Sequence, residues 1–109
     1  MPTTYKVLGQ VNPSATTATT LYTVPAATQT VVSTISVCNQ AATAATYRIA
    51  VRVAGSALSA EEYIVYGATV AASDSTFITV GVTLGATDVL TVYASSANLS
   101  FNAFGSEIA

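Results

Sequence analysis

Any chemistry in this chain would have to be built from Glu61 and Glu62, Cys38, Asp74 and Asp88, and Arg48 and Arg52. No histidine is present, so neither the cysteine nor a serine has a base that titrates near neutral pH to activate it. Glu61 and Glu62 are adjacent; on a strand they point to opposite faces and cannot share an acid/base task. Cys38 alternates with Thr34 and Ser36 in a β-branched run, so we expect it reduced and largely buried, a small hydrophobe rather than a nucleophile. Asp74 and Asp88 each stand where a turn enters a strand, the usual place for a local Asx hydrogen bond. No Asp-rich cluster offers the oxygens a Ca²⁺ loop needs, and no metal or cofactor is expected. Pro2 would become a terminal amine on loss of Met1, but the basic partners of a proline base are missing. The sequence gives no catalytic residue, and the expectation is that the chain is not an enzyme.

Arg48 and Arg52 share one strand face with Ala50 between them. They are placed either to pair with Glu61 or Glu62 on a neighbouring strand, to pair across a subunit boundary, or to line a solvated edge. With Lys6 they are the only basic residues, too few to track a phosphate backbone, so no nucleic-acid partner is expected. Asn98-Leu99-Ser100 fits a glycosylation sequon but has no secretory signal to give it meaning. Six tyrosines and no tryptophan raise a carbohydrate-binding reading. Tyr47 and at least one of Tyr63 and Tyr66 fall at inward-looking positions, which favours core or interface use for most of them.

The elements that must position these groups are strands. Only 7% of the 109 residues are charged, 51% are hydrophobic, and Thr and Val recur with a period of two, broken by turn residues every ten positions or so. Strands are expected at Tyr5–Val11, Thr19–Val24, Gln29–Asn39, Thr46–Ala54, Glu61–Ala68, Ser75–Leu84, Asp88–Ala94 and Leu99–Ile108, with helical turns at most in 41–45 and 56–62. In the third, Val31, Ser33, Ile35 and Val37 share a face opposite Thr30, Val32, Thr34, Ser36 and Cys38. In the fourth, Tyr47, Ile49, Val51 and Val53 point inward and Arg48, Ala50 and Arg52 outward. The fold expected is all-β: one domain over residues 1–109, an antiparallel β-sandwich of about eight strands, a jelly roll. Thr and Ser interrupt every apolar run before it reaches membrane-spanning length, so no membrane partner is expected.

Several phrases occur together in a familiar order: Leu21-Tyr22-Thr23-Val24-Pro25-Ala26, Val37-Cys38-Asn39-Gln40, Tyr47-Arg48-Ile49-Ala50-Val51, and the run from Leu99 to Ile108. From about Lys6 onward the chain resembles small virion structural proteins of tailed bacteriophages, particularly cyanophages. The resemblance implies a capsid decoration (cement) or tail-associated subunit, assembled in the host cytoplasm and acting through contacts with other virion proteins. It also suggests a homotrimer, threefold assembly being common among phage decoration and fibre proteins. Sparse charge agrees with an assembly subunit, since too few charged side chains exist to cover the surface and guard the strand edges. The alternative is the receptor- or glycan-binding tip of a tail fibre, using exposed Tyr or Asn on loops.

Overall fold

The computed structural model describes residues 2–79 and 81–109. Met1, whose loss would free the Pro2 amine, and Val80, inside the expected Ser75–Leu84 strand, lie outside them. Nine strands are described: β1 (Thr3–Val11), β2 (Thr19–Thr23), β3 (Gln29–Asn39), β4 (Ala45–Arg52), β5 (Tyr63–Val70), β6 (Ser75–Ile78), β7 (Val82–Leu84), β8 (Val89–Ala94) and β9 (Leu99–Ile108). All pairings are antiparallel. One sheet runs β1-β9-β3 and then β6 and β7, which follow one another along the same edge of β3; the other runs β2-β8-β4-β5. The two sheets pack as a β-sandwich. The first-half strands pair with second-half strands in nested order: β4 with β5, β3 with β6 and β7, β2 with β8, and β1 with β9.

The core between the sheets is drawn from both. Ile35, Val37, Leu99, Phe101 and Ala103 of the first sheet meet Tyr47, Ile49, Leu90 and Val92 of the second, all at 3% exposure or less. The Tyr47 and Phe101 rings pack edge to face with centroids 6.2 Å apart. Truncating Phe101 to Ala here would cost about 3–5 kcal/mol, the usual result of opening a cavity under a buried aromatic. Asn39 is buried at the end of β3 and fully used: its Nδ2 donates to the carbonyls of Thr43, Val70 and Ala71, and its Oδ1 accepts from the Ala41 amide. It thereby ties the 40–44 loop to the end of β5.

Several expectations need correction, and a bulge explains the first of them. A register shift between Val32 and Thr34 makes Ser33 the extra residue of β3, and an extra residue flips the alternation that follows it. Thr30 and Val32 therefore face the core together with Ile35 and Val37, while Val31 lies on the outer face with Thr34, Ser36 and Cys38. Cys38 is free and only half-buried, because that face looks outward. β4 stops at Arg52, and Val53 enters a 3₁₀ turn (Val53–Gly55) and is 64% exposed. Glu61 and Glu62 are not on a strand but in a second 3₁₀ turn, Ala60–Glu62. Residues 41–44 form no helical turn. Neither Tyr63 nor Tyr66 reaches the core.

Candidate functional site

Two outer faces carry the features that could act. On the first sheet, the strand residues pointing away from the core are Tyr5, Val7 and Gln10 of β1, Ser100 to Ser106 in alternation on β9, Val31, Thr34, Ser36 and Cys38 of β3, and Phe77 and Thr83 at the edge. None of them is charged. Tyr5 is 83% exposed, Phe77 67% and Val7 48%. Lys6 and Glu107 belong to the opposite side of the same strands, where they form an ion pair of 3.1 Å at the open end of the sandwich. The outward face is thus uncharged and studded with aromatics, with small Ser and Thr side chains between them that let another surface come close.

The second sheet is built differently. Register places Tyr66 of β5, Arg48 of β4 and Tyr93 of β8 in one row across three strands. The guanidinium carbon of Arg48 lies 4.2 Å from the Tyr66 ring centroid and 4.3 Å from that of Tyr93. This is a cation held between two π faces, well inside the distance at which the ring quadrupole attracts it. Among the described residues, no carboxylate pairs with Arg48 and no acceptor takes its N–H groups. The ion pairs with Glu61 or Glu62 weighed from the sequence do not form.

Tyr63 and Tyr66 are three apart, an odd spacing that puts side chains on opposite faces of a regular strand. Register shifts on either side of Tyr66 leave Ile64 and Gly67 unpaired as extra residues, and Gly67 takes a φ of +74°, which glycine adopts without steric cost. The bulge at Ile64 restores both tyrosines to one face, their rings edge to face at 5.0 Å. Gly67, isolated within a strand pattern, was the available sequence signal for a bulge here.

The connection between β4 and β5 folds back over this same face. Arg52 holds it by donating Nε to the Ser56 carbonyl at 2.7 Å and a terminal N–H to that of Gly55 at 3.0 Å. Asp88 accepts from the Ala54 amide and, locally, from Gly85, while Asp74 accepts from the adjacent Ser75 amide, a local bond but one residue short of the Asx turn. Glu62 caps its own turn, accepting from the Ser59 amide and the Ser56 hydroxyl. The Ser56 hydroxyl chiefly holds its carboxyl below the usual range. Glu61 accepts from the Ser59 hydroxyl. Between this connection and the tyrosines opens a groove of about 520 Å³ lined by Leu58, Ser59, Ala60, Tyr63 and Tyr66. Deeper on the face, Ala50 and Thr91 are buried, and the Thr91 hydroxyl has no hydrogen-bond partner among the described residues.

Among the described residues, no three His, Cys, Asp or Glu side chains gather as a metal site, and no helix is long and apolar enough to cross a membrane. What these faces offer is stacking, an unpaired cation and uncharged contact area, all of it suited to binding. The chain matches no protein-family model and no curated protein.

Proposed function

We propose that this chain is a structural subunit of a phage particle, a decoration or tail-associated protein that works by protein–protein contact. The observation carrying this reading is the outer face of the first sheet, where Tyr5, Val7 and Phe77 stand exposed on strands whose outward residues bear no charge. Exposed apolar area on a sheet face without charged guards marks a contact surface. The nested pairing of first-half with second-half strands supports reading the sandwich as a jelly roll, an architecture used by capsid and lectin domains alike. A homotrimer that also contacts capsid or tail proteins would cover this face and the edges at β1 and β6.

Light scattering coupled to size exclusion tests the assembly. The expected result is a stable species of three times the chain mass, reduced to a folded monomer by Tyr5→Ser with Phe77→Ser. A stable monomer at micromolar concentration would overturn self-assembly. Density for the chain on the capsid or tail in cryo-EM of the particle is the expected location, and its absence from both would overturn the virion role.

A second reading, a saccharide-binding module of a fibre tip, is favoured by one observation, the groove beside the open Tyr66 ring.

A further inference from the structure

We propose that the free edge of β1, Thr3–Val7, pairs antiparallel with the same edge of a second copy of the chain, about a twofold axis through Tyr5. This goes beyond the threefold reading: it gives the β1 edge a twofold copy of its own and leaves the outer face of the first sheet to the trimer or the particle.

Bulges and short strands blunt an exposed sheet edge against pairing, and three of the four sheet edges described here are blunted. β2 carries an extra residue at Leu21, and β5 carries two, Ile64 and Gly67. The open side of β3 is lined by two short pieces, β6 of four residues and β7 of three. β1 is different. Its register against β9 runs unbroken from Thr3 to Val7 and shifts only beyond it, and all five residues are exposed. Past the bulge the strand lies against the other sheet, where a methyl group on Gly9 would strike the Leu21 carbonyl. A lysine on an edge normally guards it, but Lys6 is drawn to its own Glu107.

Backbone direction fixes which groups this edge offers. The Ala109 amide donates to the Pro2 carbonyl at 3.1 Å, in register with the β1–β9 ladder. Bonded and non-bonded pairs alternate along an antiparallel ladder, so Thr4 and Lys6 spend their N–H and C=O groups on β9. Thr3, Tyr5 and Val7 turn theirs to the open side. A twofold axis through Tyr5 sets Tyr5 against the second copy's Tyr5 and Thr3 against its Val7, giving about six backbone hydrogen bonds at two per bonded pair. An axis through Lys6 would oppose like charges and carry Thr3 past the second copy's bulge; an axis through Thr4 would leave Val7 out. The Tyr5 axis puts Lys6 opposite the second copy's Thr4, in the row that continues to that copy's Glu107, so opposite charges face each other. It also covers Tyr5, which is 83% exposed on one chain. A ladder this short buries less than the roughly 1,200 Å² of a stable interface, so it forms between copies held close together rather than in dilute solution.

The test traps the pair by mild oxidation of the intact, concentrated protein carrying Cys38→Ser, read on a non-reducing gel. Tyr5→Cys would set two thiols opposite each other with Cα atoms about 5.5 Å apart, within the span of a disulfide. Val7→Cys would leave them about 13 Å apart along the strands. The expected result is a linked dimer for Tyr5→Cys that forms at least tenfold faster than for Val7→Cys. Adding Thr3→Lys with Val7→Lys to Tyr5→Cys opposes like charges across the axis and should suppress the link; Thr3→Glu with Val7→Lys opposes unlike charges and should restore it. All these side chains are exposed, and thermal unfolding confirms that each variant is folded. Equal linking of Tyr5→Cys and Val7→Cys, or no link from either, would overturn the pairing, as would equal suppression by both charge pairs. Phe77→Ser should leave the Tyr5→Cys link intact; its loss there would overturn the edge and assign the link to the sheet-face contact. The mass from light scattering reads the trimer separately.

Discussion

The Tyr22 hydroxyl donates to the Glu107 carboxylate across the gap between the sheets, joining β2 of one to β9 of the other. Thr30 lies 2.8 Å from the same hydroxyl, and Lys6 donates to the second oxygen of Glu107 at 3.1 Å. Burial, and then the hydrogen bond to Glu107, push the Tyr22 phenol from 10.0 up to about 12. The Tyr22 and Lys6 hydrogen bonds hold the Glu107 carboxyl below its ordinary value.

Stability should therefore fall at both ends of the pH scale. Glu107 contributes fully above the ordinary carboxyl pKa, and that contribution is lost as pH falls through its lowered folded value. Tyr22 contributes fully below pH 10.0, and its contribution is lost as pH rises from there to about 12. Denaturant midpoints against pH should show both limbs for the parent. Tyr22→Phe should lessen the alkaline limb, the remainder coming from Tyr47, whose phenol burial also raises, and, by removing a buried hydrogen bond to a charged group, cost about 1.5–3 kcal/mol near neutrality.

Two glycines sit where a methyl group would strike backbone. A Cβ at Gly105 would be driven into the Val31 carbonyl, and one at Gly9 into that of Leu21. Gly105→Ala and Gly9→Ala should each destabilise by about 2–3 kcal/mol or more, the cost of forcing backbone apart in a packed sheet. Gly85→Ala, whose new methyl would meet only Asp88 at an ordinary 3.7 Å, should shift the unfolding midpoint far less.

Thr91→Val should stabilise the protein. The Thr91 hydroxyl is buried without a partner among the described residues, so a group of the same shape without the polar atom removes a desolvation penalty of about 1–3 kcal/mol. Thermal denaturation reads the gain directly, and a lower midpoint would count against it.

Cys38 should react with a thiol reagent in the folded monomer, since it is half-exposed on the outer face of the first sheet. If that face is the assembly surface, labelling should slow sharply in the oligomer. An unreactive thiol in a proven monomer would contradict the exposure.

Much of the strand content was legible because the pattern is local. β3 and β9 occupy the expected Gln29–Asn39 and Leu99–Ile108, each an alternating run closed by turn residues. Faces were less legible wherever a bulge intervened. One extra residue at Ser33 put Ile35 and Val37 on the same face as Thr30 and Val32, while Val31, expected with Ile35 and Val37, turned outward with Cys38. The Tyr66–Arg48–Tyr93 row depends on register between strands that one sequence does not specify, and on bulges at Ile64 and Gly67. The Tyr22–Glu107 bond joins residues 85 apart, a pairing set by sheet packing alone. Conversely, the bonds of Asp74 to the Ser75 amide and of Asp88 to the Gly85 amide are local ones of the kind their turn positions predict, whereas the Asp88 bond to the Ala54 amide, 34 residues away, depends on the fold.

The nested pairing order also offers the chain a route to its structure that starts from its middle. Closing β4 on β5 requires only the 53–62 connection to loop back, a short closure with a small entropic cost. Once that hairpin stands, β3 is delivered next to β6 and β7, and that ribbon in turn brings β2 to β8. Pairings distant in sequence thus become a succession of short steps, each prepared by the one before. On this route β1 meets β9 last, so the Lys6–Glu107 ion pair, joining the outermost pair of strands, forms as the final clasp of a zipper that runs from the middle of the chain outward.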